Sequence, residues 1–259
     1  MHRSSIFKIT MDYERSHGSY LFDKRTQASF LDFFGQYASL PLGYRHPIFA
    51  TPAFRDEYLR VAHVKAVNCE ILSDETLEFL REFSGHPSMQ AFPYVHFSCT
   101  GALAVEAAVK TAMDAKGSPH PTIFSLEESF HGVMGYAGSL TDPFVPVRAR
   151  LDGFPTFGWQ KLRSPKIVYA EDGSVDMTQT RARIAAFAEQ FRAEVERAGA
   201  EHVAAFVVEP IQATYGDNYF TEECFAVMRA LCDEYRISLI FDEVQTGFGG
   251  TGTMWYFEQ

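Results

Sequence analysis

The sequence predicts an α/β fold, a mostly parallel sheet with helices on both faces, plus a small β-rich lobe at the N-terminal side. Three observations carry this expectation. From about residue 61 onward, helical patterns alternate with short apolar runs, the arrangement that builds parallel sheets. The later apolar runs each stop abruptly at a polar or glycine-containing segment, as strands do where they reach a loop. Residues 1–60 differ, being richer in short strand-like runs and turn residues, so the division expected is 1–60 for part of a small lobe and 61–259 for the larger domain.

In the first part, Gly18–Asp23 and Ser29–Phe34 read as strands separated by a polar turn, and Gly43-Tyr44-Arg45-His46-Pro47 as a loop. In the second, Val95–Ser98 reads as a strand. It leads through Cys99-Thr100-Gly101-Ala102 into a helix whose Val105, Val109, Ala112 and Met113 keep helical spacing, with Thr100 as its cap. Ile123–Leu126 is the next strand, followed by Glu127-Glu128-Ser129 and then Phe130-His131-Gly132. A helix with Ile184, Phe187, Phe191 and Val195 on one face precedes the strand Val203–Val208, which closes in Glu209-Pro210-Ile211-Gln212. The last helix, capped by Thr221 with Phe225, Met228 and Cys232 inward, precedes the strand Ser238–Phe241 and the loop Asp242-Glu243-Val244-Gln245-Thr246-Gly247.

Bulk properties narrow the class. The 259 residues suffice for a sizeable core, and the formal net charge of −10 with no Lys/Arg run argues against a nucleic-acid or anionic-membrane surface. Cys69, Cys99, Cys224 and Cys232 lack C-x-x-C spacing and the first residues, Met1 to Lys8, lack an apolar signal core. Reduced thiols and a cytoplasmic location are expected. No apolar run approaches the roughly 20 residues that span a bilayer.

The chemistry concentrates at strand ends. An acid at the C-terminal lip of a buried strand stands where open α/β sheets place their ligands, so Asp242 is expected to face a crevice and something cationic. Capping of a following helix is the bland reading of Asp242 and Glu243. A magnesium-binding strand of a P-loop ATPase would need a loop ending in Gly-Lys-Ser/Thr, which the sequence lacks. Gly247-Phe248-Gly249-Gly250-Thr251-Gly252 satisfies G-x-G-x-x-G, without the helix and the later acid that a dinucleotide fold requires. Free amides at the helix start near Gly101 make an anion site suited to a phosphate, and Phe130 with His131 before a glycine suits the face of a flat cofactor.

Taken in order, Phe97-Ser98-Cys99-Thr100-Gly101-Ala102-Leu103-Ala104-Val105-Glu106, Ala205–Gln212, Asp242–Gly247 and Gly252-Thr253-Met254-Trp255 resemble the class III aminotransferases, which are fold-type I pyridoxal phosphate (PLP) enzymes. Within them they are most similar to L-lysine 6-aminotransferases. The resemblance covers essentially the whole chain and implies a role for each matching position. Asp242 would bind the pyridine nitrogen, Gly101 and Ala102 the cofactor phosphate, and Phe130 would stack on one ring face with Val244 on the other. Gln245 would reach the phenolic oxygen, and His131 belongs to the same cofactor-binding set. Asp242 and Glu209 are the candidate catalytic residues. For Glu209 two readings stand, a carboxylate near the reacting carbon or a structural partner for an arginine or amide.

The resemblance also implies an amino group passed from a primary amine or amino acid, a lysine-like donor among them, to a 2-oxo acid such as 2-oxoglutarate. The family's cofactor-bearing lysine lies roughly 30 residues beyond the position of Asp242. The expectation is therefore an N-terminal portion without the last strands and lobe, acting as a homodimer or with a complementing second chain. The alternative is a truncated, non-catalytic fragment that binds a partner chain or holds PLP noncovalently. None of Lys110, Lys116, Lys161 and Lys166 is nominated as a substitute, and loss of the intervening strands would leave Gly101 and Asp242 without a fixed spacing. Val133 stands where lysine 6-aminotransferases carry a substrate-binding arginine, Thr214 where they carry a glutamate, and Gly250 where a bulkier residue is usual. No metal is implied.

Overall fold

The computed structural model describes residues 8–62, 71–142 and 156–259. Cys69 and residues 1–7, on which the thiol and signal-peptide readings partly rest, lie outside them. The chain divides into two compact units, Met1–Pro93 with Gly247–Glu258, and Tyr94–Thr246 with Gln259. The helix Asp74–Gly85 falls in the first unit, whereas the expected division placed residues from 61 onward in the larger domain.

The first unit carries an antiparallel hairpin, β1 (Tyr20–Asp23) and β2 (Ala28–Leu31), paired from Tyr20 opposite Leu31 to Asp23 opposite Ala28. The Asp23 carboxylate fixes the turn by accepting from the Thr26 hydroxyl at 2.7 Å and from the Thr10 amide at 2.8 Å. β2 ends at Leu31, three residues before the sequence expected, because Asp32 turns its carboxylate onto the Phe34 and Gly35 amides and breaks the extended run. Helices α1 (Pro52–Val61) and α2 (Asp74–Gly85) follow, capped by Thr51 and Ser73.

The second unit holds a four-stranded parallel sheet in the order β4-β3-β5-β6, with β3 at Thr122–Leu126, β4 at Lys161–Leu162, β5 at Val203–Val208 and β6 at Ser238–Phe241. Helices α3 (Gly101–Lys116) and α4 (Gly135–Leu140) pack with one apolar cluster, α5 (Met177–Ala198) and α6 (Glu222–Tyr235) with another. Side-chain size on β5 decides which helices approach closely. Ala204, Ala205 and Val207 meet Val105, Val109 and Ala112 of α3, so small residues face a small-residue helix stripe. Phe206 and Val208 instead meet Phe187, Phe191 and Met228, where three phenyl rings interlock at 5.6–5.9 Å. All six residues of β5 are buried, as a central parallel strand covered on both faces requires. This is the α/β architecture the sequence predicts.

One predicted strand is absent. Val95–Ser98 belongs to neither sheet among the described residues, and a strand exists only through such ladder pairing. Cys99 is an exposed free thiol, whereas Cys224 and Cys232 are buried and pushed up to about 12 by that burial, which leaves them protonated and inert. Among the described residues no helix is long and apolar enough to cross a membrane.

Removal of the Phe191 ring empties a position that touches three other phenyls, so Phe191→Ala is expected to cost about 3–5 kcal/mol in urea unfolding. Glu189→Ala, on the exposed side of the same helix, should stay within about 0.5 kcal/mol of the unaltered chain.

Candidate active site

Because β3, β5 and β6 run parallel, their C-terminal ends open at one edge of the sheet, and each delivers part of a single polar cluster. β6 ends in Asp242, whose amide donates to Val208 O at 2.8 Å and so continues the ladder by one residue. One carboxylate oxygen, Oδ2, lies 2.7 Å from Nδ1 of His131. An ionised carboxylate only accepts, so Nδ1 carries the proton of this bond. The other oxygen, Oδ1, accepts the Val244 amide at 3.1 Å, which turns the chain back just past the strand. Asp242 therefore caps a two-residue turn and not a helix. Glu243 closes the same turn by accepting from the Thr246 hydroxyl at 3.0 Å.

His131 has a fully buried side chain, and its Nε2 has no hydrogen-bond partner among the described residues. Its backbone is held as firmly as its ring. The His131 amide donates to Thr141 Oγ1 at 2.9 Å, and the same hydroxyl donates to Gly132 O at 2.6 Å. β5 ends in Glu209, whose Oε2 accepts the Phe130 amide at 2.8 Å. Burial pushes the Glu209 carboxyl up to about 7; the His131 ring and the Phe130 amide oppose this and Asp242 adds to it.

Two glycines bring the α3 start into the cluster. A β-carbon on Gly132, at φ +133°, would lie 2.8 Å from the Ala102 β-carbon, so only glycine lets the Phe130 loop seat there. A β-carbon on Gly101 would lie 2.7 Å from Val244 Cγ1, so the Asp242 loop packs directly on the start of α3. The sequence expectation that these two segments would lack a fixed spacing is corrected by that contact. Thr100 caps α3 by accepting the Leu103 amide at 3.3 Å, which leaves the Gly101 and Ala102 amides as the helix's uncapped donors.

Of the predicted residues, Gly101, Ala102, Phe130, His131, Glu209, Asp242 and Val244 converge on this edge, with Gln245 half-buried in the Asp242 turn. Phe130 and Val244 remain 43% and 64% exposed, so two apolar faces stay open beside a buried carboxylate. That combination fits PLP: Asp242 for a ring nitrogen, the two faces for an aromatic ring, and the uncapped amides for a phosphate. Val133 is 73% exposed and Thr214 lies half-buried in the turn Ala213–Tyr215. The His131–Asp242 bond spans 111 residues of sequence and no spacing rule announces it; nor does any announce Thr141, which holds the His131 backbone.

The four lysines of this unit are engaged elsewhere. Lys110 lies over the Tyr136 ring, Lys116 donates to Arg236 O, Lys161 to Ser139 O, and Lys166 pairs with Glu128.

The class these features define is shown by comparison: the family model for aminotransferase class III matches residues 3–259, and the chain belongs to that family. Its cofactor is PLP. Among its relatives, the L-lysine-epsilon aminotransferase of Mycobacterium tuberculosis is 38% identical over 262 residues, 97% of this chain and 57% of the relative. That of Streptomyces clavuligerus is 36% identical, covering 98% and 56%. The 4-aminobutyrate aminotransferase of Schizosaccharomyces pombe is 30% identical, covering 100% and 58%. A solved lysine aminotransferase of M. tuberculosis superposes with a TM-score of 0.85 at 36% identity, over 100% of this chain and 60% of that one. The chain thus spans somewhat more than half the length of the relatives it matches.

Glu209 supplies a pH prediction with a definite sign. Its carboxyl is raised from 4.5 to about 7 in the folded state, so the folded chain holds the extra proton between those values and its stability falls as pH rises through them. Glu209→Gln keeps an acceptor for Phe130 without the titration. The stability of this variant relative to the unaltered chain, from urea unfolding at pH 4.5–7.5, should rise by ~3 kcal/mol across the window. A flat difference would mean that Glu209 does not titrate there.

Proposed function

We propose that this chain serves amino-group transfer from a primary amine or amino acid to a 2-oxo acid, with PLP held at the His131–Asp242 cluster. The observation that carries the reading is the buried Asp242 carboxylate, bonded to His131 and flanked by the open faces of Phe130 and Val244. Similarity to L-lysine-epsilon aminotransferases supports a lysine-like donor, and 2-oxoglutarate is the proposed acceptor. Val133, in the place of a substrate-binding arginine, leaves that position without a cation for a donor carboxylate. A cytoplasmic homodimer, or a pairing with a complementing chain, completes the proposal.

When bound, PLP supplies an electron sink for the carbon that bears the amino group. The chain's own residues do the rest of what is proposed here. Asp242 holds a proton on the ring nitrogen by placing a carboxylate against it, and His131 fixes that carboxylate through Oδ2. Phe130 and Val244 exclude water from the two ring faces, while the Gly101 and Ala102 amides orient the phosphate. Glu209 sets the height of Phe130 through its amide and, with its carboxyl at about 7, is suited to hold or release a proton near neutrality.

A second reading, noncovalent retention of the cofactor by these 259 residues, is favoured by the engagement of the four lysines away from the cluster. Equilibrium dialysis with PLP tests both readings. Asp242→Ala should weaken binding at least tenfold, and unchanged affinity would remove Asp242 from the site. After borohydride reduction, mass spectrometry should find no label on Lys110, Lys116, Lys161 or Lys166; a label on any of them would overturn noncovalent retention. Formation of glutamate from L-lysine and 2-oxoglutarate is the assay for the proposed donor and acceptor.

A further inference from the structure

Gln212 is fully buried, and every polar atom of its side chain is used. Its Nε2 donates to Glu127 O at 2.9 Å, three residues before Phe130. Its Oε1 accepts from Ser164 Oγ at 2.7 Å and from Asn218 Nδ2 at 3.3 Å. Its backbone pairs reciprocally with that of Asn218 at 3.1 Å in both directions. Asn218 Nδ2 also donates to Glu128 Oε2 at 2.7 Å, and Lys166 pairs with the same carboxylate. The segment after β5 thus grips the segment after β3 at three points, Gln212 on Glu127, Asn218 on Glu128 and Glu209 on Phe130.

We propose that Gln212 is a positioning residue for cofactor binding: it fixes the height and tilt of the Phe130 loop against Glu209, and so sets the ring face that Phe130 offers. The proposal rests on the reading that PLP binds at the Asp242 cluster. A buried amide that satisfies one acceptor and two donors at once costs little to keep and much to break, because each lost partner becomes a buried unsatisfied group. The network is anchored in β5 and in the Ser164–Lys166 segment after β4, so the loop inherits the rigidity of the sheet. Phe130 needs that support because it is 43% exposed and its amide is what the Glu209 carboxylate holds.

Gln212→Met keeps the length and apolar volume of the side chain and removes all its hydrogen bonds. Val195→Ala, in the final turns of α5, which precede the start of β5, is the control for general destabilisation. Hydrogen exchange read by mass spectrometry should show the peptide containing the Phe130 amide exchanging at least tenfold faster in Gln212→Met. It should be unaltered in Val195→Ala after each variant's global stability is taken into account. Equilibrium dialysis should show a five- to tenfold weaker PLP affinity for Gln212→Met alone. Equal protection of Phe130 in both variants, or equal PLP affinity in Gln212→Met and the unaltered chain, overturns the positioning role. Failure of the unaltered chain to bind PLP overturns the cofactor reading, and this proposal's cofactor role with it, while the exchange data separately decide whether Gln212 holds the loop. If Gln212→Met does not fold, Ser164→Ala, which removes one bond at the rim of the network, should give the same ordering at two- to threefold size.

Discussion

A carboxylate buried at the end of a parallel strand has to be satisfied, and the way Asp242 is satisfied organises the whole edge of the sheet. One oxygen goes to an imidazole that arrives from the β3 loop, the other to the amide that starts the next turn. Bonding to His131 requires the Phe130 loop to be in place. That loop in turn needs Thr141 behind it and Glu209 beneath it. Three strand ends are therefore locked by a few hydrogen bonds, each in a low-dielectric setting where an unmade bond is costly.

Packing delivers these ends to one another. Alanines on one face of β5 let α3 approach, and two glycines then let loop backbones sit against the α3 start, one beneath Val244 and one beneath Ala102. The opposite face is filled by interlocked phenyl rings, which resist shear between α5, α6 and the sheet. The polar cluster is thus built on closely packed strands, which resist deformation.

The cluster also shows how one fold separates the duties of its carboxylates. Asp242 is met by an imidazole and an amide, whereas Glu209 is met by a single amide, and burial, with a smaller contribution from Asp242, raises its carboxyl to about 7. A carboxyl raised to about 7 is suited to take up or give up a proton near neutral pH. Gln212 supports both acids from below by tying together the loops on which they depend.

The sequence by itself determined the periodic features: the parallel α/β unit, the helix faces at Val105/Val109 and Phe187/Phe191, the caps at Thr100 and Thr221, and the strand ends where chemistry gathers. These follow from local spacing, which a chain cannot change without exposing its apolar face. The motifs at Phe130, Glu209 and Asp242 were legible for the same reason, since each is a short run that follows a strand, and Gly101 was legible as the start of a capped helix. Only the tertiary structure decided that His131 meets Asp242 across 111 residues, that Glu209 spends its oxygen on the Phe130 amide, and that Gln212 braces the loop. It also decided that Val95–Ser98 joins neither of the described sheets. Pairings of this kind depend on which elements lie side by side. A strand without a neighbour, or a donor without its distant acceptor, looks the same in sequence as one that has found its partner.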